Sequence, residues 1–361
     1  MQDKTKNMII TVGFAFTLIL VFVVNLIAED KKISESERRT LAQFPKITLS
    51  GLTSGDVIDK FEDYTVDQFV GRDFFRGIKA LNNMYVFNQK DNNKLFEKDG
   101  AIYKMEYPLN KNNVQKSAKK IHDIYQKHMQ DMNVYYAIIP DKIYYLTDDD
   151  HLKLDHNELK SIMQNQLKDM KYIDIWDSLK LDDYYKTDIH WRQENLQNVV
   201  GKLQQGMNLQ NTSSIAYEKI DAGDFYGTYY GQLGVSVEPD KMYILRNGVI
   251  DKCITYNYET IKNGKIYSQP KSADKYDIYL EGATPLISIE NPNANTNKEL
   301  LLFRDSFGSS IAPLLVENYK KITLIDIRYM SSTLLEQYID FESQDVLFLY
   351  SALVLNQNIF K

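Results

Sequence analysis

The longest uniform feature of the chain is an uncharged run from Met8 to Ala28. As a helix it rises roughly 30 Å, enough to cross a bilayer. The stretch 33–52 is polar and contains Pro45, which reads as an extended stalk. From Ser54, a candidate N-cap, apolar residues fall on one helical face: Val57, Ile58, Phe61, Tyr64 and Phe69. Gly71 breaks the pattern. A second helix follows, with Phe74, Phe75, Ile78, Leu81 and Tyr85 as its expected buried side; Asp67 and Arg72 read as a structural ion pair. Beyond residue 95 helical and strand periods alternate. Helices are predicted over 113–132 and 158–170 and through Leu196, Val199, Val200 and Leu203. Strands are predicted over 134–139, 172–176, 298–303, 322–327 and 346–350. This alternation predicts an α/β fold with a largely parallel sheet and helices on both faces. The rhythm breaks at about 221–292, where Gly, Tyr and short alternating segments such as Met242–Leu245 and Lys275–Tyr279 predict a β-rich insertion. The chain then divides into 1–29, a tip and transmembrane helix; 30–94, a stalk and packing helices; and 95–361, the main domain with its insertion.

Composition narrows the partners. A net charge of −6 offers nothing to nucleic-acid phosphates. A single cysteine, Cys253, excludes an internal disulfide. Lys4 and Lys6 precede the apolar run and Lys31 and Lys32 follow it, so flanking cations give little orientation. The long globular remainder puts the N-terminus in the cytoplasm and the rest outside. A cleaved signal peptide is the alternative. Its apolar region is about 7–15 residues and ends in small residues. This run is longer, and Leu26-Ile27-Ala28 is a poor cleavage site, so an uncleaved anchor is expected.

Two stretches carry candidate chemistry. In Lys186-Thr187-Asp188-Ile189-His190-Trp191, an acid and a base stand two residues apart. In extended chain both project to one face, so Asp188 can orient the imidazole while its other nitrogen faces a nucleophile. A surface Asp beside a helix-capping His explains that stretch about as well. The second stretch raises the catalytic reading. Apolar residues 298–303 run into Arg304-Asp305-Ser306-Phe307-Gly308 and then an amphipathic run, the strand–turn–helix pattern that exposes a nucleophilic Ser306 at a sheet's carboxyl edge. Lys142, just past a strand end, is weighed as a substrate contact against a solvated lysine, the latter favoured. Arg328, at another strand end, is weighed as an oxyanion or carboxylate ligand against an ion pair with Asp326 or Asp305. Trp191 is expected beneath the imidazole, with stacking on a sugar as the lesser role. Asp305 joins the substrate or oxyanion candidates. Asp224-Phe225-Tyr226-Gly227-Thr228 is placed near the site, Gly227 permitting close approach of a ligand. The insertion's tyrosines suit sugar surfaces and strands alike. His151 and His156, in an acidic stretch from Asp148, lack a third ligand, so neither metal nor cofactor is expected.

At these stretches the chain resembles the DHHW family, which is similar to SGNH-hydrolase-like proteins that O-acetylate alginate and other exported polysaccharides. The resemblance runs through Ser36–Pro45, Tyr64–Arg72, Pro140–Lys142, Asp188–Trp191, Asp305–Phe307 and Ile325–Tyr329. One departure stands out: Arg304 occupies the position where G-D-S hydrolases carry Gly. The resemblance implies an SGNH-like three-layer sandwich. It implies an extracytoplasmic acetyl transfer to a polysaccharide through acyl-Ser306, with Asp188 and His190 completing a triad and a membrane-bound O-acyltransferase supplying the acetyl group. An acetylesterase shares the same acyl-Ser chemistry. A non-catalytic polysaccharide-binding or assembly scaffold is the third reading, since fold alone never establishes activity.

Overall fold

Five parallel strands meet at one carboxyl edge, and every candidate catalytic strand end lies there. The computed structural model describes residues 2–34, 36–147, 150–210, 215–270, 272 and 274–361. Two compact units emerge: Met1–Asn92 with Gly231–Val235, and Asn93–Tyr230 with Ser236–Lys361.

The first unit begins with α1 (Gln2–Ile27), whose segment Asp3–Ile27 is long and apolar enough to cross a membrane. The strands β1 (Ile33–Ser34) and β2 (Arg39–Thr40) form a small antiparallel ladder, so part of the expected stalk is folded. Thr48 caps α2 (Leu49–Ser54) by accepting from Gly51 N. Gly55, at φ +86°, then separates it from α3 (Asp56–Asp67). Ser54 therefore ends one helix rather than capping the next. Gly71, at φ +80°, opens α4 (Arg72–Leu81), which runs into a π-turn, Asn82–Val86. Asp67 lies 3.5 Å from Arg72, but its tighter partner is Arg39, at 2.5 Å, while Arg72 meets Glu37 at 2.5 Å. The expected buried side of α4 is in fact exposed.

The second unit opens with the ladder of β3 (Leu95–Lys98) and β4 (Ala101–Lys104). Next come α5 (Lys111–His128), β5 (Asn133–Ile139), α6 (His156–Gln166), β6 (Lys171–Tyr172) and α7 (Gln197–Gly206). The insertion supplies β7 (Glu218–Phe225), α8 (Thr228–Leu233, whose residues from Gly231 belong to the first unit), β8 (Asp240–Arg246), β9 (Ile254–Asn257), β10 (Lys262–Gly264) and β11 (Leu286–Glu290). The chain closes with β12 (Glu299–Arg304), α9 (Phe307–Ile311), β13 (Lys321–Ile325), β14 (Asp345–Ser351) and α10 (Ala352–Gln357).

The main sheet has the order β10-β9-β11-β13-β12-β14-β5-β6. From β13 to β6 all pairings are parallel, and β11, β9 and β10 add antiparallel strands at one edge. Part of the β-rich insertion thus widens the sheet, while β7 and β8 pair apart from it. The central strands are buried along nearly their whole length, as strands covered on both faces must be. Two expected strands are not strands. Only Lys171–Tyr172 pairs with β5, because Asp174 Oδ1 accepts from Trp176 N and bends the chain away. Over 275–278 Asp274 caps a 3-10 turn instead, accepting from Tyr276 N.

Candidate active site

Asp305 follows β12 and is tied on both oxygens. Its Oδ1 accepts from Phe307 N at 3.1 Å and its Oδ2 from Ser351 N at 2.8 Å. The carboxylate therefore welds the turn to the neighbouring strand end. Ser306 sits at φ −58°, ψ −27°, an unstrained helical conformation. The Arg304 departure is absorbed one turn later. A Cβ on Gly308 would lie 2.5 Å from Arg304 Cβ, so glycine in the helix relieves the crowding that glycine at 304 would otherwise relieve. The Arg304 side chain is wholly buried, 3.6 Å from Asp326. No acceptor among the described residues takes the Ser306 N–H.

Opposite Ser306 lies His190. Its Nε2 is 2.7 Å from Ser306 Oγ across 116 residues of sequence. Its Nδ1 is 2.5 Å from Asp188 Oδ1, which also accepts from His190 N at 3.0 Å. A proton on Nδ1 leaves Nε2 as the acceptor for the serine hydroxyl. The other carboxylate oxygen, Asp188 Oδ2, accepts from Thr228 N at 2.6 Å.

The loop carrying this pair is held from three sides. Asp240 accepts from Lys186 N, Thr187 N, Thr187 Oγ1 and Arg192 Nη2. Gly227 packs so tightly that a Cβ would come within 2.2 Å of Thr187 O and 2.4 Å of Asp188 Cβ. Its close approach is to the loop backbone, not to a ligand. Lys142 is neither solvated nor turned to substrate. It is buried, and its Nζ donates to Tyr185 O, Lys186 O and Asp188 O at 2.8–2.9 Å. Burial pushes its ammonium down to about 7, against the pull of Asp188 and Asp240.

Tyr276, which the sequence reading did not single out, lies flat on the imidazole at 3.8 Å between ring centroids and 11° between planes. Burial holds its phenol well above the usual range, so it remains a donor, to Ser310 Oγ at 2.8 Å. Ser310 Oγ also accepts from Trp191 Nε1 at 2.8 Å and donates to Phe307 O at 3.2 Å, filling both lone pairs and its proton. Trp191 is thus fully buried against the helix after Ser306, edge-on to Phe307, and cannot stack on a sugar. Arg328 grips Asp326 through Nε at 2.9 Å and Nη2 at 2.7 Å, the ion-pair alternative. Tyr226 is about half exposed and packs edge-on to Tyr230. His151 stacks on Phe96, and His156 bonds to Asp141. Asp148 and Asp149 lie outside the described residues. Among the described residues no three His, Cys, Asp or Glu converge as metal ligands.

A family model described as DHHW protein matches residues 107–325, a span that includes Asp188, His190 and Ser306. The chain belongs to the DHHW family. A DHHW family protein from Eubacterium siraeum has the same fold, with TM-score 0.62 and 17% identity over 74% of this chain and 95% of that one. Bacillus cereus PatB1 superposes with TM-score 0.59 and 24% identity over 75% of this chain and 99% of its own. PatB1 with a sulfonyl adduct gives 0.58 and 23%, over 74% and 96%. No curated protein matches the chain significantly. Within this DHHW chain, Asp240 and Tyr276 support the site without a local sequence signal. Gly227 and Thr228, both inside the segment placed near the site, were within reach of sequence reasoning.

Proposed function

We propose that this DHHW-family chain is a membrane-anchored, extracytoplasmic O-acetyltransferase acting on hydroxyls of a cell-surface or exported polysaccharide. The observation that supports it is the hydrogen-bonded line Asp188–His190–Ser306, at 2.5 and 2.7 Å. In this reading His190 Nε2 takes the Ser306 proton as Oγ attacks the acetyl carbonyl. The Ser306 N–H is one donor to the resulting oxyanion. Collapse breaks the bond to the donor's leaving group, which takes the proton from His190. A sugar hydroxyl then gives its proton to His190 and attacks the acyl-serine, and Ser306 Oγ leaves taking that proton back from His190, which regenerates both groups. Asp188 keeps Nδ1 protonated and steadies the imidazolium. Tyr276 and the Lys142 clamp limit the ring and loop motion that would lengthen the proton path. The span α1 anchors the chain. A membrane-bound O-acyltransferase delivers the acetyl group, as the family resemblance implies.

The test is incubation with an activated acetyl ester, followed by intact mass with and without a soluble oligosaccharide. One acetyl group gained on Ser306 and passed to the sugar is expected. Acetate released at the same rate without sugar makes the chain an esterase. Absence of the adduct in wild-type protein makes it a scaffold.

A further inference from the structure

The helix α4 and its π-turn are built inside out. Towards the unit's interior they present Ala80, fully buried, with Arg76 donating to Gly231 O at 3.0 Å and Asn83 donating to Asn92 Oδ1 at 3.2 Å. Outwards, at steps of three and four, stand Phe74, Ile78, Leu81 and Tyr85, flanked by Phe75 and Val86. Phe74 is 68% exposed, Tyr85 62% and Val86 65%. A contiguous stripe of large apolar side chains turned away from its own core marks an interaction surface.

The position of that stripe indicates its occupant. Asn25, in the last turn of α1, accepts through Oδ1 from Val70 N at 2.8 Å. Gln68 bonds both ways to the Lys31 backbone, at 2.8 and 2.9 Å, and Tyr64 OH donates to Asp30 Oδ1 at 3.0 Å. These bonds bring the loop between α3 and α4 level with the end of the apolar span. Phe69 and Val70 flank Asn25 there, and Phe74 and Phe75 begin the stripe beside them.

We propose that the apolar face of α4, with Phe69 and Val70, lies in the headgroup–acyl boundary of the bilayer that α1 crosses, so the N-terminal unit rests on lipid. The proposal depends on the anchored reading of α1 given above. Lipid fits better than a protein helix, because membrane helix interfaces favour small residues, and this face has none. Large aromatic and aliphatic side chains on one face of a surface helix suit the acyl boundary. Of the cations on α4, Arg72 and Arg76 are held by Glu37, and five carboxylates on the preceding α3 (Asp56, Asp59, Glu62, Asp63 and Asp67) stand against Lys60 alone, so anionic lipid is not the main attraction. The contact is apolar and indifferent to salt.

Four variants of the full chain that each add one cysteine, Phe74→Cys, Leu81→Cys, Asp63→Cys and Phe16→Cys, test this in phosphatidylcholine vesicles. Cys253 does not compete for label, because it is buried and burial pushes its thiol up to about 12. All four positions are exposed, so folding survives the label. Each variant carries an environment-sensitive fluorophore and is quenched by iodide in water or by nitroxides on the lipid. Positions 74 and 81 are expected to resist iodide and to quench with nitroxide near the headgroup, at low and high salt alike. Position 63 is expected to quench with iodide, and position 16 with nitroxide deep in the chains. Iodide quenching at 74 and 81 with position 16 still in lipid overturns the proposal and leaves the anchor standing. Loss of lipid quenching at position 16 as well removes the anchor itself. Shielding of 74 and 81 from both quenchers means that protein covers the face, and the lipid assignment fails.

Discussion

Two buried histidines in this chain each meet an aspartate, and only one of them turns its other nitrogen to a hydroxyl. His156 Nε2 lies 2.9 Å from Asp141 Oδ1, and its Nδ1 lies 2.8 Å from Leu154 O. Both nitrogens face oxygen atoms of a carbonyl or carboxylate, and neither faces a hydroxyl. His190 has the aspartate on Nδ1 and a hydroxyl on Nε2. A hydroxyl can give its proton where a carbonyl cannot. The group opposite the second nitrogen, more than burial or the aspartate, separates a structural pair from a proton-transfer device. The two pairs are also close in the fold. Asp141 serves His156, while its neighbour Lys142 clamps the carbonyls around Asp188.

The sharpest contrast comes from deleting each ring and the serine. Ser306→Ala and His190→Ala are expected to abolish acyl-enzyme formation, since triad members act as a unit. Ser306→Ala should shift stability by no more than about 0.5 kcal/mol. His156→Ala should do the reverse, keeping turnover per folded molecule while losing about 3–5 kcal/mol by leaving Asp141 buried and unpaired. Acetyl transfer measured beside thermal melts reads both, and a His156→Ala enzyme that melts normally but is inactive breaks the comparison. Exchanging the acids is the next largest effect. Asp188→Asn favours the wrong tautomer and should cost roughly 10⁴-fold in kcat, as in the serine-protease precedent. Asp141→Asn should leave kcat within a few-fold of wild type.

Gly227→Ala tests whether the loop geometry matters as much as the residues on it. The added methyl would sit 2.2 Å from Thr187 O, so the Asp188 segment must shift. A displacement of that kind costs on the order of 10²-fold in kcat. Unchanged kcat in a soluble, folded variant would show that the loop tolerates the shift. The last effect concerns Lys142, read as a pH slope. Its ammonium is pushed down to about 7 from an ordinary 10.5. The unfolded chain therefore holds this proton more tightly, and the stability linked to Lys142 rises with pH from about 7 to 10.5. Below that window the cost of the buried charge is present in full. Lys142→Met should lack this rise in denaturant unfolding across the window, and parallel curves for the two proteins would refute the assignment.

Asp188, His190 and Ser306 were legible because their signals are local: an alternating pair in extended chain, and a hydroxyl between a buried strand and a helix. The central strands were legible for the same reason, since burial on both faces leaves unbroken apolar runs. Asp240 was not legible: its carboxylate accepts from Thr187 N across 53 residues, and nothing local to either residue signals the pairing. Thr228 lies in a segment placed near the site, but its bond to Asp188, 40 residues away, is made by a backbone N–H that its side chain does not encode. Tyr276 sits in a stretch that alternates like a strand, yet Asp274 turns it into a 3-10 segment and lays the ring on His190.

The chain's own order of residues determined which side chains share a face, where the chain turns, and which acid, base and hydroxyl are available for chemistry. Tertiary structure alone decided what each face meets. The stripe from Phe74 to Tyr85 is plain in the periodicity, yet periodicity says only that these side chains point the same way. Their direction, outward here, depends on Arg76 and Asn83 finding partners inside the unit. Lys142 follows the same logic: a lysine past a strand end is ordinarily solvated, and only three converging carbonyls turn it inward. Local patterns encode orientation within an element, because helix and strand geometry repeat over a few residues. Contacts between elements depend on distances that no short window contains.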